Sequence, residues 1–421
     1  MATTALRREI VVVSPTRQRV IGVVLLAMAV GIWLLFARQT TPDQVTTFSL
    51  TLGGSIVVIG DWLLPASFTL NVLALLCAVL GGIQLARGFG RQTTLVLAFV
   101  SGIFIFGFLT WAAAGKSLNL VGLLTTSLVK AVPITLGALS GVLCERAGVV
   151  NIAIEGMMLA GAMVGALVGS VTGSLWVGLI SAVITGGLLG LVHGVLSIKY
   201  KSDQIVSGTV INIFATGITS YISAKFLQNY QELNNPGIFP RWPIPILSKI
   251  PLIGPMLFEH NLFVYALYLF LIVITIALFY TRWGLRLRSV GEHPKAADTL
   301  GINVFRTRYM AVILGGMMAG FGGGYFTLGS VGRFDEVMTA GRGFIGLAAM
   351  IFGNWTPFGS FGAGLVFGFA DSLATKLAIL GVKIPSEFLL MAPYIATMIV
   401  LAGVVGRGQM PAADGQPYEK E

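Results

Sequence analysis

Residues 261–281, NLFVYALYLFLIVITIALFYT, carry no charged side chain, and they run directly into RWGLRLRSVGEHPKAADTLGINVFRTR, residues 282–308. At about 1.5 Å per residue the first stretch is long enough to carry a helix through a hydrocarbon layer about 30 Å thick. The second holds Arg282, Arg286, Arg288, Lys295, Arg306 and Arg308, which belong in water or among headgroups beside such a layer. An apolar crossing that gives way to a basic connection marks a membrane-spanning chain.

Working outward, further apolar windows lie near 20–36, 67–86, 93–113, 120–143, 150–170, 174–196, 206–226 and 309–328, then at 343–353, 357–376 and 391–406. The fold expected is therefore an all-α polytopic membrane protein with about 11–12 transmembrane or re-entrant helices. Of 421 residues, 55% are hydrophobic and 10% charged, against about 25% charged in a soluble domain. That balance excludes a water-soluble globule.

A net charge of +10 raises the question of nucleic acid, but the basic residues are spread over the connections rather than gathered in a patch, so no nucleic-acid partner is expected. Their placement follows the positive-inside rule instead. The N-terminal Arg7, Arg8, Arg17 and Arg19, the pair Arg87 and Arg91, the pair Lys199 and Lys201, and the 282–308 set are separated by even numbers of spans. All four fall on one side, the cytoplasmic side of a plasma membrane, with the N-terminus. No Ala-x-Ala-like site follows the first run, which reads as a retained anchor. Cys77 and Cys144 suggest neither a disulfide framework nor a metal site.

The opposite side receives residues 227–260, where Pro236, Pro240, Pro243, Pro245, Pro251 and Pro255 preclude a continuous helix. This segment reads either as a connector packed on the outer mouth or as a docking surface for an extracytoplasmic partner. Glycines recur every fourth residue at 161/165/169, 186/190/194 and 316/320/324. Such stripes let helix backbones approach closely in lipid and are packing features. Lys130 and Lys225 are expected to snorkel toward an interface. Asp371 and Lys376, five apart, are not on one helix face, so pairing with other helices is the natural reading.

Gly115-Lys116-Ser117 lacks the earlier glycine of a phosphate-binding loop, since Thr110 stands there. The three histidines, His193, His260 and His293, form no zinc-protease pattern, and no Gly-x-Ser-x-Gly elbow is present. The chain reads as neither an ATPase nor another enzyme, and no metal or cofactor is expected on it.

The connection 282–308 is too long for a simple reversal. A short helix is expected from Pro294 to Leu300, with Pro294 at the first turn and Gly301 as its stop. The loop can lie on anionic headgroups, or its small residues Ala296, Ala297 and Gly301 can fit a cleft in another protein. The Ala296-Ala297-x-x-x-Gly301 pattern resembles the EAA loop of ABC-importer permeases, with Lys295 at the place of the name-giving glutamate. CERAGVVNIAIEGMMLAGA (144–162), IPLIGPMLF (250–258), GEHPKAADTLGINV (291–304) and GFIGLAAMIFGNWTPFGSFGAG (343–364) are similar to the nucleoside and simple-sugar branch of those permeases.

That resemblance covers about residues 118–406 and implies a membrane permease subunit of an importer for nucleosides or related sugars. It implies four partners: an ABC ATP-binding subunit that holds the ATP, a second permease subunit, an extracytoplasmic solute-binding protein, and membrane lipid. The ATPase-coupling loop would comprise Gly291, Glu292, His293, Pro294, Ala296, Ala297 and Gly301. Domain limits follow: 1–115, a membrane extension of about three spans; 116–410, the permease domain; 411–421, a polar C-terminal tail. An ion- or proton-coupled carrier is the rival reading, and its intramembrane acids would be Glu155 and Asp371.

Two polar breaks interrupt apolar helices, Gly148 to Gly156 and Gly353-Asn354-Trp355-Thr356-Pro357. Broken helices at membrane depth leave backbone groups for a cavity or a ligand to satisfy. Asn151, Glu155 and Asn354 are the hydrogen-bonding candidates for a solute path. Trp355 and Phe358 are the stacking candidates, with an interfacial anchor as the alternative for Trp355.

Overall fold

The computed structural model describes residues 15–53, 59–382 and 409–420, together with Phe388 and Met391. Arg7, Arg8 and all but the first residue of the 391–406 window lie outside them. Among the described residues ten helices are long and apolar enough to cross a membrane, and one shorter apolar helix, Arg342–Phe352, joins them. The chain forms two compact units, residues 1–122 with 376–383, and residues 123–375 with 384–421.

In the first unit α1 (Pro15–Gly31), prolonged by a π-helical turn at Ile32–Phe36, packs with α2 (Ala66–Ala86) and α3 (Thr93–Ala112). Leu25, Ile32, Leu70, Cys77 and Val100 interleave at the centre. A small sheet caps the bundle: β1 (Val45–Ser49) lies between antiparallel β2 (Trp62–Pro65) and parallel β3 (Ser117–Asn119). Lys116, of the Gly-Lys-Ser triplet, donates from its ammonium to the carbonyl of Leu380.

The second unit holds most of α4 (Leu120–Glu145), then α5 (Ile154–Thr172), α6 (Leu175–Gly194) and α7 (Gln204–Ile222). The proline-rich segment folds into short turns, a five-residue helix α8 (Ile253–Leu257) and a minimal pairing of β4 (Trp242–Pro243) with β5 (Glu259–His260). There follow α9 (Leu262–Tyr280), α10 (Arg282–Glu292), α11 (Pro294–Thr299), α12 (Val304–Gly324), α13 (Arg342–Phe352) and α14 (Pro357–Ile379).

Close packing of α5, α6 and α12 forms the centre of this unit. The glycine stripes meet one another: a side chain on Gly186 would run into the backbone of Gly316 and Gly320, and one on Gly320 into Ala182 and Gly186. Gly161 likewise faces Gly320, and Gly190 faces Val312 and Gly316. Lipid offers helices no hydrophobic reason to associate, so backbone-to-backbone contact of this kind supplies the attraction.

The two ends of the unit differ in chemistry. At the proline-rich end Phe239 donates to the carbonyl of Leu328, and Asn234 exchanges hydrogen bonds with the backbone of Phe334. At the basic end the tail 409–420 is docked rather than free. Ala413 bonds the carbonyl of Gly291, Ala412 the carboxylate of Glu292, and Arg308 the carbonyl of Gln416. Tyr418 is buried with Val290, Ala297 and Val304.

Asp414 enters this interface beside Glu145 and Arg308. Its burial pushes the carboxyl up to about 7, a rise tempered by Glu145, the Gly415 backbone and Arg308. The docked tail therefore retains a proton that an undocked aspartate, at its ordinary value of 3.8, has lost. Docking is strongest below that value and weakens as pH rises through about 7. The protection of residues 411–418 against hydrogen exchange, measured relative to the intrinsic rate at each pH, is expected to be lower at pH 8 than at pH 6, and Asp414→Asn should abolish the difference. For the helix packing, Gly320→Leu should leave little correctly assembled protein in detergent. Gly217→Leu, where nothing lies within 4 Å of the added carbon, should be extracted like the parent chain.

Candidate functional site

The window expected to begin a span at residue 150 does not do so. The chain leaves α4 at Glu145, runs without regular helix through residues 146–153, and starts α5 only at Ile154. Gly137, about two turns before the end of α4, packs against Ile154 and Met158 on one side and Gly346 of α13 on the other. Both α5 and α13 thus begin well inside the thickness that α4 crosses.

Several of the backbone groups released by this break have specific partners. Val150 donates to the Gln204 side chain at 2.7 Å, and the Ile152 carbonyl accepts from Asn212 at 2.9 Å. Asn212 also accepts from the Gly156 N–H at 2.7 Å, at the first turn of α5. His193 places Nε2 2.9 Å from the Val150 carbonyl and Nδ1 3.0 Å from the Ser207 hydroxyl. A carbonyl only accepts, so Nε2 carries the hydrogen and neutral Nδ1 accepts from the serine. Asn151, wholly buried, turns back to accept from the Ala153 N–H, with its amide against Cys144 and Met157.

Glu155 lies between two helix beginnings. It sits in the first turn of α5, and its carboxylate accepts from the Thr339 hydroxyl (2.6 Å) and from the N–H groups of Gly341 (2.8 Å) and Gly343 (2.6 Å). The negative charge meets unsatisfied N–H groups and the positive end of the α13 dipole. Gly343 is tied to this contact, because a side chain there would strike the Glu155 backbone.

The second break lies at the basic end. Asn354 and Trp355 both take left-handed backbone, each with φ of 52°, an uncommon conformation that tryptophan adopts only when its surroundings impose it. Arg146 imposes it by donating to both their carbonyls, at 3.2 and 2.9 Å, and the Trp355 indole donates to Glu145 at 2.6 Å. Asn354 accepts from the Gln409 N–H of the tail at 2.7 Å. Trp355 is therefore a buried tie between the two breaks. Of the five path candidates, Asn354 and Phe358 are exposed, whereas Asn151, Glu155 and Trp355 are buried.

A cluster that sequence reading left scattered does come together. Lys130 of α4 pairs with Asp371 of α14 at 3.0 Å, and Arg342 of α13 reaches the other carboxylate oxygen at 3.1 Å. Lys130 does not snorkel, and Asp371 takes its partners from other helices. Their spacing of 241 and 29 residues left no local signal to find them by.

In the basic connection, Pro294 occupies the first turn of α11, the His293 ring accepts from the Ala296 N–H, and Gly301 ends it with φ of 81°. Ala297 faces inward, while Lys295, Ala296, Thr299 and Leu300 are exposed, Leu300 at 82%. Gly291 packs on the Arg146 carbonyl, which joins this connection to the first break.

Residues 123–405 match the family described as the branched-chain amino acid transport system permease component. The chain is 41% identical over 303 residues to the guanosine ABC transporter permease protein NupQ of Bacillus subtilis, covering 70% of this chain and 95% of that one. It is 40% identical over 302 residues to the nucleoside ABC transporter permease protein NupC of Lactococcus lactis, with the same coverage. A putative glucose ABC transporter permease, TsgC13 of Haloferax volcanii, is 33% identical over 327 residues, covering 71% and 98%. No solved structure matches. Matched over most of its length, with its spans and half-helices in place, the chain belongs to the ABC permease family of the branched-chain amino acid transport system type.

Proposed function

We propose that this chain forms the translocation path for nucleosides in an ATP-driven importer. The observation that carries the reading is the pair of helices that begin inside the membrane, α5 and α13, joined at Glu155. Broken helices are built where a polar solute must be met at depth. The relatives that share two fifths of its residues over nearly their whole length are named for guanosine and nucleosides, which favours a nucleoside over a branched-chain amino acid.

ATP is bound and hydrolysed by a separate ABC subunit in this reading. The basic end, where α10, α11 and the tail converge, faces the cytoplasm, as the excess of arginine there favours. The exposed edge of α11, with Leu300 at its tip, enters a cleft of that subunit and transmits its movement through Gly291 and Arg146 to the first break. The proline-rich end receives solute from an extracytoplasmic binding protein. A pocket of about 540 Å³ opens there, lined by Gln228, Gln231, Glu232, Arg333, Phe334 and Glu336. A second permease subunit completes the path.

Leu300→Glu tests the coupling without touching the path, because the side chain has no packing role. In proteoliposomes containing the complete transporter, guanosine import and solute-stimulated ATP hydrolysis are both expected to fall at least about tenfold, as loss of a buried apolar anchor predicts. Unchanged import in the variant, driven by an imposed ion gradient without ATP, would return the chain to the ion-coupled carriers.

A further inference from the structure

Charged side chains inside a membrane span are costly to insert and are retained where they face a partner or a wet path. Lys130 and Asp371 lie about two turns or more from the nearer ends of α4 and α14. The side chains of Lys130, Arg342 and Asp371 nevertheless keep 23%, 27% and 24% of their surface open. A cluster serving only to pin three helices together would be covered, and acyl chains are no cover for it. Its open side in the isolated subunit is thus accessible to water or a polar solute.

The three groups are unequally committed. Lys130 spends its donors on the Asp371 carboxylate (3.0 Å), the Asp371 carbonyl (3.1 Å) and the Thr375 hydroxyl (2.8 Å). Arg342 gives Asp371 one hydrogen bond, at 3.1 Å, and no other described residue accepts from its remaining side-chain N–H groups. A guanidinium carries five such donors in a rigid fork. Each oxygen of Asp371 has taken a cation on one side and retains capacity to accept from another donor. The cluster thus offers free donors beside a free acceptor, with one net positive charge.

We propose that Arg342 and Asp371 are the recognition pair of the translocation path and bind the ribose of a nucleoside, with Lys130 as the positioning residue that holds Asp371. Arg342 donates to the ribose oxygens while Asp371 accepts from a ribose hydroxyl. The net charge favours neutral and anionic solutes over cationic ones. This assignment rests on the nucleoside reading above and adds the site to it.

The test compares guanosine with 2′,3′-dideoxyguanosine as substrates of the complete transporter in proteoliposomes. The parent protein should import guanosine with a KM at least about tenfold lower than that of the dideoxy compound, the worth of one charged hydrogen bond. Asp371→Asn and Arg342→Gln should raise the guanosine KM about tenfold and reduce that preference to less than about threefold. Arg342→Lys keeps the ion pair with Asp371 but loses the fork, and it should show the same loss of preference even where Asp371→Asn fails to insert. Variants that lower the maximal rate while keeping the parent's preference would assign the cluster to helix packing alone and overturn the proposal. A parent protein that imports no nucleoside would overturn the nucleoside reading itself, and the ribose site with it.

Discussion

Water is absent from the interior of a bilayer, so any backbone group freed by interrupting a helix has to be answered by the protein itself. The interruption at residues 146–153 meets that condition with side chains from two other helices. Gln204 and Asn212 of α7 and His193 of α6 take up the backbone of Val150, Ile152 and Gly156. Without those three, α5 would have to begin at the membrane surface as an ordinary span. Because they are present it begins at depth, opposite the start of α13.

The glycine contacts make this arrangement reachable. His193 lies on α6 and Gly186 on the same helix, where α12 approaches as closely as backbone permits. The position of α6 is thus set by α12, and the reach of His193 to the Val150 carbonyl follows from it. At the basic end the same economy recurs. Arg146 holds the strained turn at Asn354 and Trp355, and its own carbonyl is the surface on which Gly291 rests. Burial draws this guanidinium below its ordinary range, against the pull of Glu292. A single arginine therefore ties both helix breaks to the α10–α11 connection.

Much of the scaffold is legible in the sequence because length and apolarity alone decide a span: the windows from 20–36 to 357–376 correspond to helices from α1 to α14. The short α11 is legible for a local reason, Pro294 at its start and Gly301 at its stop. What escapes is whatever depends on a partner distant in sequence. Glu155 reads as a bare intramembrane acid until the N–H groups of residues 341 and 343 are brought to it. Trp355 reads as a stacking surface or an anchor until Glu145, 210 residues earlier, is found to hold its indole. The tail reads only as polar, since nothing local announces that Tyr418 will be buried against Ala297.

The Glu155 junction has a mechanical consequence. Separating α5 from α13 would strand a carboxylate and the N–H groups of Gly341 and Gly343 in a dry interior, so the two half-helices are soldered into one rigid body. Opening of the proposed translocation path then cannot proceed by prising them apart. In the proposed importer the seam that opens therefore lies elsewhere, and α5 and α13 stay together as one block beside it.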